Sequence, residues 1–185
     1  GTGGVAESDR EGAEQRAIRH ALEAQHHRAD KQAVDLAWQH LGHRDRFLRF
    51  AARVALEHQE IGLWRDRALA EKDPDKAITA MLALVRSASS DPFHRAPNAA
   101  AVDVEFRRKV LARLHELASA DWQKMRDETR LEFLRTLQIA LNRMDGGDAE
   151  QLLSLASTLE GLYPAGNRFE NAELCQLLVY LQSQP

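Results

Sequence analysis

Cysteine is nearly absent from this chain, which has one among 185 residues. A single thiol excludes an internal disulfide, and it excludes the paired CxxC spacing of metal sites and covalently attached haem. The one cysteine, Cys175, lies in the apolar stretch LCQLLVYL. A free thiol in such surroundings is most often a small buried hydrophobe, so we expect Cys175 to lie in the core.

Long apolar runs and an excess of positive charge are also missing. No stretch approaches the roughly 20 apolar residues that a membrane span requires, so none is predicted. The chain has 25 basic and 28 acidic residues, for a net charge of −3. Because nucleic-acid binding depends on positive charge concentrated on one face, we expect no nucleic-acid partner.

The amino terminus lacks an initiating methionine, a charged leader and an apolar signal core. Residues 1–8, GTGGVAES, are expected to form a flexible tail, followed by one domain over 9–185. We expect the chain to be a piece of a longer protein. Its composition, 44% hydrophobic and 6% aromatic, is typical of a folded, helix-rich protein.

Nearly every segment has the helical period, and none alternates with a period of two. The predicted helices cover about 9–27, 31–41, 45–56, 61–71, 73–85, 103–117, 128–144, 148–162 and 169–182. Asp45 and Asp73, the latter followed by Pro74, are predicted N-caps. Asp148 and Gln151 resemble a capping box. The segment 87–102 is predicted to be a long, partly disordered surface loop, and Trp122 is assigned to a short solvated turn.

A short outer helix, a tight turn and a broader apolar helix recur along the chain. Such repetition is the signature of a solenoid. The predicted fold is all-α: a right-handed α-α superhelix of about four helical hairpins after an N-terminal helix.

Each inner helix would contact its own partner and both adjacent repeats. We therefore expect Ala51, Ala52 and Ala55 to allow close approach of backbones, while Phe47, Val54 and Leu56 fill the gaps between helices. Arg49 should reach the carbonyls or an acid of a neighbouring turn.

The order Asp45, Leu48-Arg49, Ala51-Ala52 and Ala55-Leu56 resembles the second helix of a HEAT repeat, and the segment after Asp73-Pro74 resembles it more loosely. The step between the two aspartates is similar to that of the compact phycobilisome-lyase-type HEAT-like variants. HLGHRDRFLRFAARVALEHQ and LYPAGNRFENAELCQLLVYL are also similar to HEAT segments of large planctomycete-type secreted proteins that carry a c-type cytochrome module. This resemblance implies a scaffold segment of a multidomain protein located outside the cytoplasm.

Catalytic and metal-binding patterns are weak. His40, His43 and Asp45 straddle a helix end and a turn, so they are not expected to converge on a metal. No glycine-rich phosphate loop, nucleophile elbow or HExxH motif is present, and neither an enzyme nor a cofactor is predicted. The alternative is a repeat-type enzyme domain. Trp38, Trp64 and Trp122 could hold a base in a DNA glycosylase-like groove, although core packing is favoured, and a chromophore lyase-like domain is the other possibility.

The face lined by the second helices is the predicted interaction surface for a protein partner, since repeats supply extended area without a deep pocket. Its outward positions would be Arg46, Arg53, Glu57, Lys76, Thr79, Arg130 and Arg135.

The last helix has almost no polar face between Leu174 and Leu181. Because terminal repeats of solenoids require polar caps, we expect this helix to be covered by a continuing chain, a dimer or a crystal contact.

Overall fold

A computed structural model describes residues 3–27, 30–96, 98 and 101–182. All regular structure in these residues is helical, which confirms the all-α prediction. The helices are α1 Gly3–Glu23, α2 Lys31–His40, α3 Arg46–Glu57, α4 Arg65–Ala70, α5 Pro74–Ala88, α6 Val104–Glu116, α7 Asp127–Arg143, α8 Ala149–Leu162 and α9 Arg168–Gln182. Short 3-10 turns follow α1 and precede α4, and α6 continues through a π-helical turn, Leu117–Asp121.

The helices form two layers. The inner layer is α1, α3, α5, α7 and α9, and each of these packs against the next. The outer helices α2, α4, α6 and α8 each pack against the inner helix that follows them, and α6 contacts both α4 and α8. Four helical hairpins therefore stack side by side after an N-terminal helix, as the sequence predicts, and the core is continuous along the stack.

Small residues make the inner layer close-packed. Ala52 and Ala55 of α3 are fully buried, and so are three alanines of α5, Ala77, Ala80 and Ala83. Alanine has no side chain beyond Cβ, so it allows the backbones of successive inner helices to approach closely. The prediction that α3 lies between neighbours on both sides is confirmed, because it packs against α1, α2 and α5.

Aspartate caps fix two of the inner helices. The Asp45 carboxylate accepts a hydrogen bond from the Phe47 N–H at 2.7 Å. Asp73 accepts from the N–H groups of Asp75 and Lys76 at 3.0 and 3.2 Å, and Pro74 is the first helical residue. Both predicted caps are confirmed, and each satisfies backbone donors that the helix itself leaves unpaired.

The capping box predicted at Asp148 and Gln151 is wrong. The Asp148 side chain makes no cap hydrogen bond. It accepts instead from Arg108 Nε at 2.5 Å and Arg107 Nη2 at 3.2 Å, and Gln151 donates to the Arg108 carbonyl. The hydrogen bond from Arg108 lowers the pKa of the Asp148 carboxyl. Two guanidinium groups of α6 attract this carboxylate more strongly than the neutral N–H groups of its own helix.

Several boundaries and burial predictions also need correction. Helix α1 begins at Gly3, inside the segment predicted as a tail, and α5 runs to Ala88, inside the predicted loop. The described part of that loop is anchored, because Arg95 binds both carboxylate oxygens of Asp145 at 2.9 and 3.0 Å.

Two predictions of burial are also wrong. Trp122 is buried, not solvated, and lies edge-on to Phe133. Cys175 is exposed, not buried.

The last helix is only partly covered. Leu174, Leu177 and Leu181 are buried against the stack, whereas Val179 is 69% exposed and Phe169, near the helix start, is 57% exposed. An apolar strip is therefore accessible at this end of the described chain. That a dimer or a further segment covers it stays a prediction.

An outer-layer cluster ties α2 to the end of α4. Trp38 Nε1 donates to the Glu71 carboxylate at 2.6 Å, and the N–H groups of Lys72 and Asp73 donate to its other oxygen. Arg67 stacks over the Trp38 ring at 4.2 Å. Burial alone would raise the pKa of Glu71, but the three hydrogen bonds outweigh it and hold the pKa below its ordinary value of 4.5.

This cluster makes stability depend on pH. Because the folded-state pKa of Glu71 lies below its unfolded value, the ionised carboxylate stabilises the fold above about pH 5, and this contribution is lost as the pH falls through the folded pKa. Glu71→Gln is expected to reduce the free energy of unfolding by about 1 kcal/mol at pH 7. Thermal unfolding of both proteins from pH 7 to pH 3 should show the difference shrinking with acidification. A difference that stays constant would contradict this assignment.

Candidate functional site

The inner layer of the stack contains a groove of about 530 Å³ between three of its helices. Helix α3 forms one wall, α5 the floor and α7 the other wall. The lining side chains are Arg46, Phe47, Arg49, Phe50 and Arg53 from α3, Ile78, Thr79 and Leu82 from α5, and Glu132, Arg135 and Ile139 from α7. The groove is therefore an apolar trough with guanidinium groups along its walls.

Two phenylalanines on α3 are the most unusual feature of the groove. Phe47 is 62% exposed and Phe50 is 60% exposed. The prediction that Phe47 fills a gap between helices is wrong. In a helix each residue advances about 100°, which puts Phe50 on the side of α3 opposite the fully buried Ala52. Phe47 lies on the same open side.

Arginines accompany both rings. The Arg46 guanidinium lies 4.8 Å from the centre of the Phe47 ring, and that of Arg53 lies 5.0 Å from the centre of the Phe50 ring. Such cation-π contacts are attractive and place a guanidinium group beside each ring. Arg46 makes no ion pair with any residue that the structure describes, whereas Arg53 binds Glu57, which also accepts from Arg86 at 2.9 Å.

Arg49 connects helix α3 to helix α7, the two walls of the groove. Its side chain is only 5% exposed. One terminal nitrogen donates to the carbonyls of His43 and Arg44 at 2.8 and 2.9 Å, and the other binds Glu132 of α7 at 2.7 Å. The expectation that Arg49 reaches the carbonyls of a turn is confirmed, and the acid that it binds lies on helix α7. This arginine therefore connects α3 directly to α7.

The seven predicted interaction residues divide into two groups. Arg46, Arg53, Thr79 and Arg135 line the groove, and Glu57 lies beside it through its contact with Arg53. Thr79 is buried in the floor instead of projecting. Lys76 packs against the turn at Gly42, outside the groove lining.

Arg130 also lies outside the groove lining. It stacks on Trp122 and interacts with the buried Glu170 at 3.9 Å. The residues that sequence reasoning missed are Phe47 and Phe50, together with Glu132 and Ile139 of α7. The sequence does contain a signal for the two phenylalanines: counting around α3 in steps of about 100° from Ala52 places both rings on the open side of the helix.

The other predicted sites lie outside the groove lining. Trp38, Trp64 and Trp122 are all at most 5% exposed, so none of them is available to stack on a base. His43 Nδ1 accepts a hydrogen bond from the Asp45 N–H at 3.0 Å, which uses it in the turn before α3. Among the residues that the structure describes, no group of three or more His, Cys, Asp or Glu side chains is arranged to hold a metal ion. None of the described helices combines the length and apolar composition that crossing a bilayer requires.

No protein-family model, curated protein or solved structure matches this chain. The groove itself is therefore the basis for assigning a function.

Proposed function

We propose that this chain is a HEAT-like α-solenoid segment that acts as a non-catalytic scaffold and binds a partner protein in the groove between α3, α5 and α7. The two-layer stack of hairpins supports this assignment, because stacked repeats present extended concave surfaces that proteins use for recognition.

The exposure of Phe47 and Phe50 carries the proposal. Burying a phenylalanine side chain stabilises a protein or complex by about 1.5–3 kcal/mol, and the fold leaves both of these residues more than half exposed to water. Large aromatic and arginine side chains are enriched among the residues that dominate binding energy. Ile78, Leu82 and Ile139 extend the apolar surface beneath and opposite the rings.

Carboxylates around the groove favour a protein over nucleic acid as the partner. Arg49, Arg53 and Arg135 each face a glutamate within ion-pair distance, namely Glu132, Glu57 and Glu173. Nucleic-acid affinity requires several arginines or lysines that are free to neutralise phosphates. A short apolar segment with few charges suits this surface better.

A displayed library of random peptides tests the proposal directly. Peptides that bind the protein are selected, and their affinities are then measured by fluorescence anisotropy for the natural sequence and for Phe50→Ala. Losing a central aromatic anchor is expected to weaken binding by at least about 2 kcal/mol, or roughly thirtyfold. Phe169→Ala, which removes an exposed phenylalanine at the far end of the stack, is the matched control and should leave affinity unchanged.

Two results would overturn the proposal. One is a set of selected peptides whose affinity is the same for the natural sequence and for Phe50→Ala. The other is binding of duplex DNA that persists at 200 mM salt, where contacts to phosphate are strongly weakened, and that is lost when Arg53→Glu and Arg135→Glu are combined.

A further inference from the structure

We infer that the partner segment is an acidic amphipathic helix, with carboxylates two turns apart and large apolar side chains between them. The inference rests on the proposed function and adds to it the chemistry of the partner. Charges along the groove, the spacing of side chains on α3 and the helical character of both walls carry it.

The groove lining is rich in positive charge although the chain as a whole is acidic. Four arginines and one glutamate line it, whereas the formal charge of the protein is −3. The glutamates that pair with Arg53 and Arg135, Glu57 and Glu173, are not part of the lining. The exposed guanidinium groups of the lining are those of Arg46 and Arg135, whereas the side chains of Arg49 and Arg53 are only 5% and 12% exposed. A carboxylate on a bound segment therefore finds accessible positive charge at Arg46 in particular.

Two positions keep an unbalanced positive charge. At the start of α3, Arg46 makes no ion pair with the described residues. At the other end, Arg53 and Arg86 share the single carboxylate of Glu57. Arg46 and Arg53 are seven residues apart, which corresponds to about 10.5 Å along a helix. Phe47 and Phe50 lie between them, so the pattern along the wall is positive, apolar, apolar, positive.

A helix fits this pattern better than an extended strand. Residues i and i+7 of a helix lying along α3 have the same separation of about 10.5 Å, and residues i+3 and i+4 lie between them on the same face. A helix also satisfies its own backbone hydrogen bonds. An extended segment would need partners for its N–H and C=O groups, and the groove walls are helices whose backbone groups are already paired.

The same charges exclude a long polyanion as the preferred ligand. Glu57, Glu128, Glu132 and Glu173 all lie within ion-pair distance of arginines around the groove. They would repel a continuous row of phosphates, whereas a segment with two carboxylates adds one charge at Arg46 and one beside the Arg53–Glu57–Arg86 group, where two guanidinium groups share a single carboxylate.

Four synthetic peptides test the inference. The probe is a fluorescein-labelled helical peptide of alanine and glutamine, with Glu at i and i+7 and Leu at i+3 and i+4. The controls replace both Glu by Gln, both Glu by Lys, or both Leu by Ser. Because Arg46 is exposed and the Arg53–Glu57–Arg86 group keeps one net positive charge, the Glu peptide is expected to bind about three- to tenfold more tightly than the Gln peptide at low salt. The Lys and Ser peptides are expected to bind more weakly still.

Arg46→Glu provides the decisive variant, since Arg46 is exposed and unpaired and its replacement should not disturb the fold. It is expected to reverse the preference between the Glu and Lys peptides. Thermal unfolding of the variant checks that the fold is retained.

The outcomes separate the two proposals. Equal affinity for the Glu and Gln peptides, both lost in Phe50→Ala, would overturn the acidic-helix inference and leave the protein-binding groove standing. A preference for the Lys peptide, or no binding by the Glu peptide when peptides selected from the library do bind the groove, would overturn the inference as well. If the selected peptides bind Phe50→Ala as tightly as the natural sequence, both the protein-binding groove and the acidic-helix inference are overturned.

Discussion

Arg49→Ala is expected to lower the free energy of unfolding by about 3 kcal/mol, because removing the buried guanidinium leaves two backbone carbonyls and the partly exposed Glu132 carboxylate without their donor. The lost interactions are the ion pair with Glu132 at 2.7 Å and two hydrogen bonds to the carbonyls of His43 and Arg44. These contacts connect the turn before α3 to α7, so the loss should also loosen the groove. Urea unfolding followed by circular dichroism at 222 nm measures the effect.

Two variants serve as controls for this measurement. Arg46→Ala removes an arginine from the same helix, three residues away, but one with an exposed side chain, and it should change stability by no more than about 0.5 kcal/mol. Arg49→Lys keeps the charge but lacks the forked donors that reach both walls, so an intermediate loss is expected. Equal effects of Arg49→Ala and Arg46→Ala would show that Arg49 does not connect the two helices.

Phe133→Ala is expected to cost about 3–5 kcal/mol, the range for removing a buried aromatic ring from a packed core. Phe133 is fully buried on α7 and lies edge-on to Trp122, with 5.9 Å between ring centres. The substitution therefore leaves a cavity between the inner and outer layers and removes a favourable aromatic contact. A loss of this size should abolish cooperative unfolding or lower the urea midpoint markedly.

The same substitution in the groove is expected to behave differently. Phe50→Ala removes a ring that is 60% exposed, so it should change the free energy of unfolding by no more than about 0.5 kcal/mol. The contrast matters because it separates phenylalanine used for folding from phenylalanine available for binding. Similar destabilisation by Phe133→Ala and Phe50→Ala would mean that Phe50 is part of the core, and the groove would lose its principal feature.

Local signals in the sequence account for much of the fold. The Asp45 and Asp73 caps and the apolar period of each helix depend on neighbours within a few residues, which is why the order of the helices and their pairing can be predicted. The broad apolar bands of α3 and α5 indicate contacts on both sides. An inner helix of a stack packs against two neighbouring inner helices and its own outer partner, so a wide part of its surface must be apolar.

Contacts between distant residues account for the errors. Asp148 fails to cap α8 because Arg107 and Arg108, about forty positions earlier, come within reach of its carboxylate. The acid that pairs with Arg49 is Glu132, 83 positions along the chain, and no local pattern identifies it. Hydrophobicity alone predicts that Phe47 is buried, whereas counting around α3 from Ala52 in steps of about 100° places it on the open side of the helix.

The most direct test of the binding groove is fluorine NMR of the protein labelled with 4-fluorophenylalanine, which places a probe at all six phenylalanines. On addition of a peptide selected for binding, the resonances of Phe47 and Phe50 should shift, whereas those of Phe93 and Phe169, which are exposed elsewhere, should not. Assignment follows from single Phe→Leu variants. Shifts confined to Phe93 or Phe169, with Phe47 and Phe50 unchanged, would contradict the proposal that the groove between α3, α5 and α7 is the binding surface.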